Sequence, residues 1–266
     1  MLRGLPIGQF IPGTSPIHRM DPRAKIAAVM LAILTLFIHT SPLSYAVMTL
    51  FVALAVGLSG VSPGLIIRGL RPVLFILLLT VSLHLFLTRG EVLFTLGPLV
   101  ATREGLRQGV LMGWRIAVLI AVTSLLTLTT SPISLTDGLE ALLKPWRRLG
   151  VPAHELAMMM TIALRFIPTL MEEADKVMKA QMARGADFAS GNLLQRARSL
   201  IPLLVPLFVG AFRRADELAL AMEARGYRGG DHRTRLRVLR ATYVDAAALA
   251  VTGAFSAVVI YLRFWR

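Results

Sequence analysis

Long uncharged runs dominate the first half of the chain. From Ile26 to Leu58 there is no Asp, Glu, Lys or Arg. His39-Thr40-Ser41-Pro42 breaks this run and reads as a tight turn. About 20 apolar residues cross a bilayer, so the pattern predicts a hairpin of two short spans, near 26–41 and 43–59. The segment 60–71 with Arg68 and Arg71 reads as a loop, and a third span is expected over about 72–88. Residues 89–108 form a mixed loop containing Gly97-Pro98, followed by a fourth span over about 109–130. Near Ser131-Pro132 the apolar signal stops, and a short amphipathic helix is expected around 134–144. A last span is expected over about 241–262.

The stretch from about 152 to 230 follows a different rule. Apolar side chains fall at Leu156, Met160, Ala163, Ile167, Leu170, Ala174 and Val177, in steps of four and three. They do so again at Leu204, Phe208, Ala211, Ala215, Leu218 and Met222. That spacing draws one apolar stripe along a helix. On the first helix, Arg165, Glu172, Lys176 and Lys179 take another face. Two long amphipathic helices are predicted, about 152–185 and 193–226, turning at Ser190-Gly191-Asn192. Pro152 suits a first turn, and Glu155 suits the positive end of the helix dipole. Leu200 to Gly210 is uncharged, carries Pro202 and Pro206, and is short for a span. It is expected to dip into the bilayer or lie under the spans.

The two helices repeat one another. Ala174-Asp175, Ala180 and Ala183-Arg184-Gly185 match Ala215-Asp216, Ala221 and Ala224-Arg225-Gly226 at a constant offset of 41. Singly, each Ala-Arg-Gly is an ordinary helix end: Arg suits the negative end of the dipole, and Gly adopts the left-handed conformation that stops the helix. Two copies in one register, with the same Ala-Asp upstream and the same stripe phase, point to a duplicated functional element. Small alanines leave each Arg approachable, and a guanidinium at a helix tip can grip a carboxylate of another protein through two bonds.

Composition changes the picture in one respect. The chain has 266 residues, is 55% hydrophobic and has a net charge of +14. In a soluble protein such charge would suggest nucleic acid. Here the hydropathy makes the lipid bilayer the partner and excludes nucleic acid, because Lys and Arg mark cytoplasmic loops and meet anionic headgroups. The 1–25 lead-in, the 60–71 loop and the 131–240 region, with Lys144, Arg147 and Arg148 and then Arg228, Arg233, Arg235, Arg237 and Arg240, are placed in the cytoplasm. The 39–42 turn and the 89–108 loop fall outside. The result is five spans in the cell membrane, N-terminus in and C-terminus out. The lead-in has Pro6, Pro12, Pro16 and Pro22 and no apolar core, so the first run is expected to stay as a span. Cysteine is absent, which excludes disulfides and thiolate metal sites.

Candidate chemistry is sparse. His39 lies in a turn, and His84 is alone in the third span. Arg115 is expected to snorkel outward, and Asp245 to pair with the preceding arginines. No metal cluster, paired intramembrane carboxylates, nucleophile elbow or phosphate-binding loop is present in the sequence. An intramembrane enzyme is therefore disfavoured. A stand-alone carrier would need polar or broken spans meeting near mid-membrane. No catalytic residue and no cofactor is assigned to this chain.

At these residues the chain resembles the transmembrane T component of energy-coupling-factor (ECF) transporters, the EcfT/CbiQ family. The resemblance rests on the two Ala-Arg-Gly helix ends and on Gly8-Gln9-Phe10-Ile11-Pro12-Gly13 with His18-Arg19-Met20-Asp21-Pro22-Arg23. Arg165-Phe166-Ile167-Pro168-Thr169-Leu170 and Phe212-Arg213-Arg214-Ala215-Asp216-Glu217-Leu218 extend it. It implies an all-α integral membrane protein with about five transmembrane helices and two long cytoplasmic coupling helices. The division would be an N-terminal membrane region (1–130), a coupling region (131–240) and a C-terminal transmembrane helix (241–266). It further implies a scaffold joining two cytoplasmic ABC ATPases, which hold the ATP and magnesium, to a membrane-embedded substrate-capture (S) component for vitamins or metal ions. Ala183, Arg184, Gly185, Ala224, Arg225 and Gly226 would dock the ATPases. Ala174, Asp175, Ala215, Asp216 and Pro168 would be supporting positions.

Overall fold

The computed structural model describes residues 10–38, 42–96, 99–188, 192–230 and 239–264. The expected turns at His39-Thr40-Ser41, Gly97-Pro98 and Ser190-Gly191, and Arg233, Arg235 and Arg237, lie outside the described residues. The helices are α1 (Pro16–Arg19), α2 (Pro22–Ile38), α3 (Pro42–Ser59), α4 (Pro63–Leu70) and α5 (Leu74–Leu87). A hairpin of β1 (Val92–Leu96) and β2 (Leu99–Thr102) follows. Then come α6 (Arg103–Thr129), α7 (Pro132–Leu143), α8 (Ala153–Ala183), α9 (Leu193–Ser199), α10 (Ile201–Ala224) and α11 (Tyr243–Phe264).

The protein is an all-α, multi-pass membrane protein. Four helical stretches among the described residues are long and apolar enough to cross a bilayer: Pro42–Ser59, Pro63–Leu87, Arg103–Thr129 and Tyr243–Tyr261. The α2 helix, with 17 residues and Arg23 and Lys25 in its first turns, falls just short of that length.

Four local expectations change. The 60–71 segment is helix, not loop: α4 runs into α5 through a 3₁₀ turn at Arg71–Val73. That tighter turn accommodates Pro72, which has no N–H to donate. The 89–108 loop contains an antiparallel hairpin pairing Val92 with Thr102 and Leu96 with Leu99. Its strands are β-branched and aromatic enough to pair. The α6 helix starts earlier than expected, at Arg103, where the Thr102 hydroxyl accepts from the Gly105 N–H at 3.1 Å. Finally, the second long helix is two helices, α9 and α10, broken at Leu200. Pro202 lies in the first turn of α10, the position where a missing N–H is harmless.

Among the described residues, 10–142 with 239–264 form one unit and 143–230 the other. In the first unit α6 is the central post, contacted by α2, α3, α4 and α5, while α11 lies along α2. Its core joins Ala32 and Leu36 of α2, Tyr45, Met48 and Val52 of α3, and Val118 and Val122 of α6. The α5–α6 contact is backbone-close. A Cβ on Gly105 would lie 2.4 Å from the His84 carbonyl oxygen, and one on Gly109 would lie 3.0 Å from that of Val81. Gly105, Gly109 and Gly113 recur every fourth residue, the small-residue stripe that lets membrane helices approach. Helices α8 and α10 pack together in the second unit.

Candidate functional site

Both long helices close with the same pair of bonds past the capping residue. At the end of α8, the Gly185 N–H donates to the Met182 carbonyl at 3.0 Å and the Ala186 N–H to that of Gln181 at 3.0 Å. At the end of α10, the Gly226 N–H donates to Glu223 at 2.8 Å and the Tyr227 N–H to Met222 at 3.0 Å. This pair of bonds is the Schellman closure, which needs a left-handed residue just past the helix. Gly185 has φ +89° and Gly226 has φ +70°. The glycine of each motif is therefore set by backbone geometry.

Each arginine then occupies the capping position, with φ −88° in both cases. Both side chains are exposed, and neither guanidinium has an ion-pair or hydrogen-bond partner among the described residues. The negative end of each helix dipole favours a cation here. Among the described residues, however, the arginine is presented rather than used. The neighbouring alanines, Ala183 and Ala224, are exposed and add no bulk. Asp175 is half-buried and Asp216 exposed, each nine residues before its arginine; Ala174 is half-buried and Ala215 exposed. Pro168 lies inside α8 with its ring exposed.

Sequence reasoning missed the contact that ties the two helices. Glu173 Oε2 on α8 lies 2.6 Å from Arg214 Nη2 on α10. Gly210, one turn before Arg214, leaves room for this carboxylate, since a Cβ there would meet Glu173 Oε1 at 2.8 Å. The repeat itself carried the signal, because Glu173 and Arg214 are matched positions with opposite charge.

Much of the apolar stripe faces outward. Leu156, Met160 and Ile167 on α8 are exposed, as are Leu204 (49%), Phe208 (59%) and Phe212 (68%) on α10. Both helices thus carry exposed apolar side chains.

The other candidates are occupied by structural bonds. His84 Nδ1 lies 2.9 Å from the Thr80 carbonyl oxygen of its own helix. Arg115 Nε donates to the Tyr45 hydroxyl at 2.8 Å, and its guanidinium lies over the Phe37 and Tyr45 rings, which flank the 39–42 segment. Asp245 is buried and accepts from the Asp21 N–H at 2.7 Å and the Thr242 N–H at 2.5 Å, rather than pairing with the preceding arginines. Backbone donors next to it satisfy it more closely than any exposed side chain does. Lys25 Nζ donates to the Thr129 carbonyl at 2.9 Å and the Thr130 hydroxyl at 3.1 Å.

Comparison with known proteins adds an independent line. Residues 13–236 match the family described as "CbiQ: Cobalt transport protein". The chain is similar to the energy-coupling factor transporter transmembrane protein EcfT of Thermosediminibacter oceani, 60% identical over 99% of both chains. It is 52% identical to the protein of the same name from Acidaminococcus fermentans, over 99% of this chain and 98% of that one. It is 47% identical to the one from Bacillus subtilis, over 99% of this chain and all of that one.

Proposed function

We propose, from the premise that this chain belongs to the CbiQ/EcfT family of energy-coupling factor transporter transmembrane proteins, that it is the scaffold through which ATP-driven motion reaches a substrate-capture subunit. The single observation that supports this most is the duplicated helix end: two identical Schellman closures, each presenting an exposed arginine. In this reading Arg184 and Arg225, flanked by Ala183, Gly185, Ala224 and Gly226, each dock a cytoplasmic ATPase. ATP and magnesium belong to those partners. The exposed apolar stripe, including Leu204, Phe208 and Phe212, meets the membrane-embedded capture component, whose cargo is a vitamin or a metal ion. Asp175, Asp216, Ala174, Ala215 and Pro168 shape the helices behind the tips.

The mechanism is mechanical. A guanidinium offers a planar fork that holds a carboxylate in a fixed orientation. A stiff helix gripped at its tip transmits displacement along its length, and packed helices shift between discrete arrangements. The α8–α10 pair would thus convert ATPase closure into reorientation of the capture component. The Arg-rich segments put the N-terminus and the 131–240 region in the cytoplasm and the C-terminus outside. In that orientation, α2 completes five spans.

Uptake in liposomes tests this. The chain co-reconstituted with an ATPase pair and a capture component should accumulate substrate only with ATP. Uptake by the chain alone would instead identify a stand-alone carrier.

A further inference from the structure

The membrane unit holds a groove of about 390 Å³ between α2, α3, α6 and α11, closed below by α1. Its floor is buried and includes Ala32, Val52 and Val122, while its rim is exposed, with Leu54 and Leu58 on α3 and Val251 on α11. The opening therefore faces sideways, between two apolar rims. Phe51 of α3 stacks on Phe255 of α11 with ring centroids 4.5 Å apart and bounds the far end.

Three polar side chains among the lining residues, Lys25, Thr129 and Thr252, are each bonded elsewhere. Lys25 Nζ donates to Thr129 and Thr130, the Thr129 hydroxyl to the Leu125 carbonyl, and the Thr252 hydroxyl to the Ala248 carbonyl. The groove has no polar group to spare for a ligand. A polar solute or a water chain would lose its hydrogen bonds there.

Length and charge narrow the remaining apolar occupants. The lining runs from residue 25 to 32 on α2 and from 244 to 252 on α11, about 10–12 Å at the helical rise. That is most of one leaflet of a hydrocarbon core about 30 Å thick. A single alkyl chain fits. At the α1 end, Arg19 and Arg240 are both exposed, one residue before Met20 and four before Val244, two of the lining residues. Basic residues at the headgroup level next to a helix groove select anionic lipid.

We propose that this groove binds one acyl chain of an anionic phospholipid, drawn from the leaflet at the α1 end, with its phosphate between Arg19 and Arg240. The lipid would fill space that α2, α3 and α11 leave open and act as a fixed part of the membrane unit.

The test uses the full chain, purified in mild detergent with equal phosphatidylglycerol and phosphatidylcholine and examined by native mass spectrometry. One phosphatidylglycerol should remain per chain, preferred by about tenfold. Ala55→Phe/Ala248→Phe, which fills the groove, should remove it, while Leu79→Phe on the exposed face of α5 should not. Arg19→Gln/Arg240→Gln should keep a lipid but lose the preference. Thermal unfolding checks that the double-Phe chain is folded; if it is not, Ala248→Leu takes its place. Three results overturn the proposal: no retained lipid in the unaltered chain, equal retention in the groove-filled one, or release of the lipid when a capture component binds. Equal retention of both lipids by the unaltered chain would overturn the headgroup assignment.

Discussion

Glu173 and Arg214 face each other across α8 and α10 at 2.6 Å, and they are the same position of the repeat. The offset of 41 that relates Arg184 to Arg225 also relates Glu173 to Arg214. Matched positions of the two copies therefore meet at this ion pair, the pivot of the sequence repeat. Each arginine tip lies eleven residues beyond it, about 16 Å along its helix. The two arms are equal in length.

The pivot pair should be interchangeable. Both side chains are about a quarter to a third exposed, and Arg214 Nη1 is buried without a hydrogen-bond partner among the described residues. Glu173 Oε2 likewise accepts no hydrogen bond among the described residues, so the contact is an ion pair alone, and its coupling should be about 1 kcal/mol. A double-mutant cycle with Glu173→Ala and Arg214→Ala, read by thermal unfolding in detergent, measures it. The swapped chain Glu173→Arg/Arg214→Glu should recover most of the loss. No recovery would mean that the surroundings of the two positions are not equivalent.

The helix stops depend on glycine. Gly185→Ala and Gly226→Ala place a Cβ in left-handed backbone, which costs about 1 kcal/mol each. Gly→Asn, which tolerates that conformation, should cost less. Amide exchange at Ala186 and Tyr227, the outer donors of the two closures, should quicken in the alanine variants and much less in the asparagine ones.

The glycine stripe of α6 should show graded sensitivity. Gly105→Ala meets carbonyl oxygen at 2.4 Å and Gly109→Ala at 3.0 Å, whereas Gly113→Ala meets only a Val81 methyl at 3.3 Å. Overpacking against backbone costs about 1–3 kcal/mol. Unfolding midpoints should fall in the order Gly105, Gly109, Gly113, with the last near the unaltered chain.

Asp245→Ala should be severe for a residue outside the proposed site. It strips the acceptor from the Asp21 and Thr242 N–H groups, at about 1–3 kcal/mol for the Asp21 donor, which is left buried. Asp245→Asn, which keeps one acceptor oxygen, should lose less. Equal losses would show that charge, not acceptance, is what the site needs.

How legible was this in the sequence? The repeat at 152–230 named both helix ends because periodicity, capping and dipole all agree at Ala183-Arg184-Gly185 and Ala224-Arg225-Gly226. The membrane hairpin before Ser59 was equally clear, because charge is absent for 33 residues from Ile26 to Leu58. Less visible was whatever depends on a neighbour. Arg68 and Arg71 suggested a loop, yet the 63–87 stretch is helical around Pro72. Val92–Leu96 and Leu99–Thr102 are strands only because they have each other. Asp245 found backbone donors instead of arginines, and Arg115 found aromatic rings. The Glu173–Arg214 pivot could have been read from the offset alone, but only by asking which matched positions carry opposite charge.

If the tips grip carboxylates through two bonds, Arg184→Lys and Arg225→Lys should reduce ATP-dependent uptake even where the ATPases still bind, because lysine keeps the charge and loses the fork. Undiminished uptake by both variants would remove the bidentate part of the mechanism.

The most direct measurement is co-purification with an ATPase pair from the same cell, comparing the unaltered chain with Arg184→Glu/Arg225→Glu. The account predicts that the ATPases accompany the first and are lost from the second, with the membrane fold intact in both. Equal recovery of the ATPases with both chains would contradict the docking role of the two arginine tips.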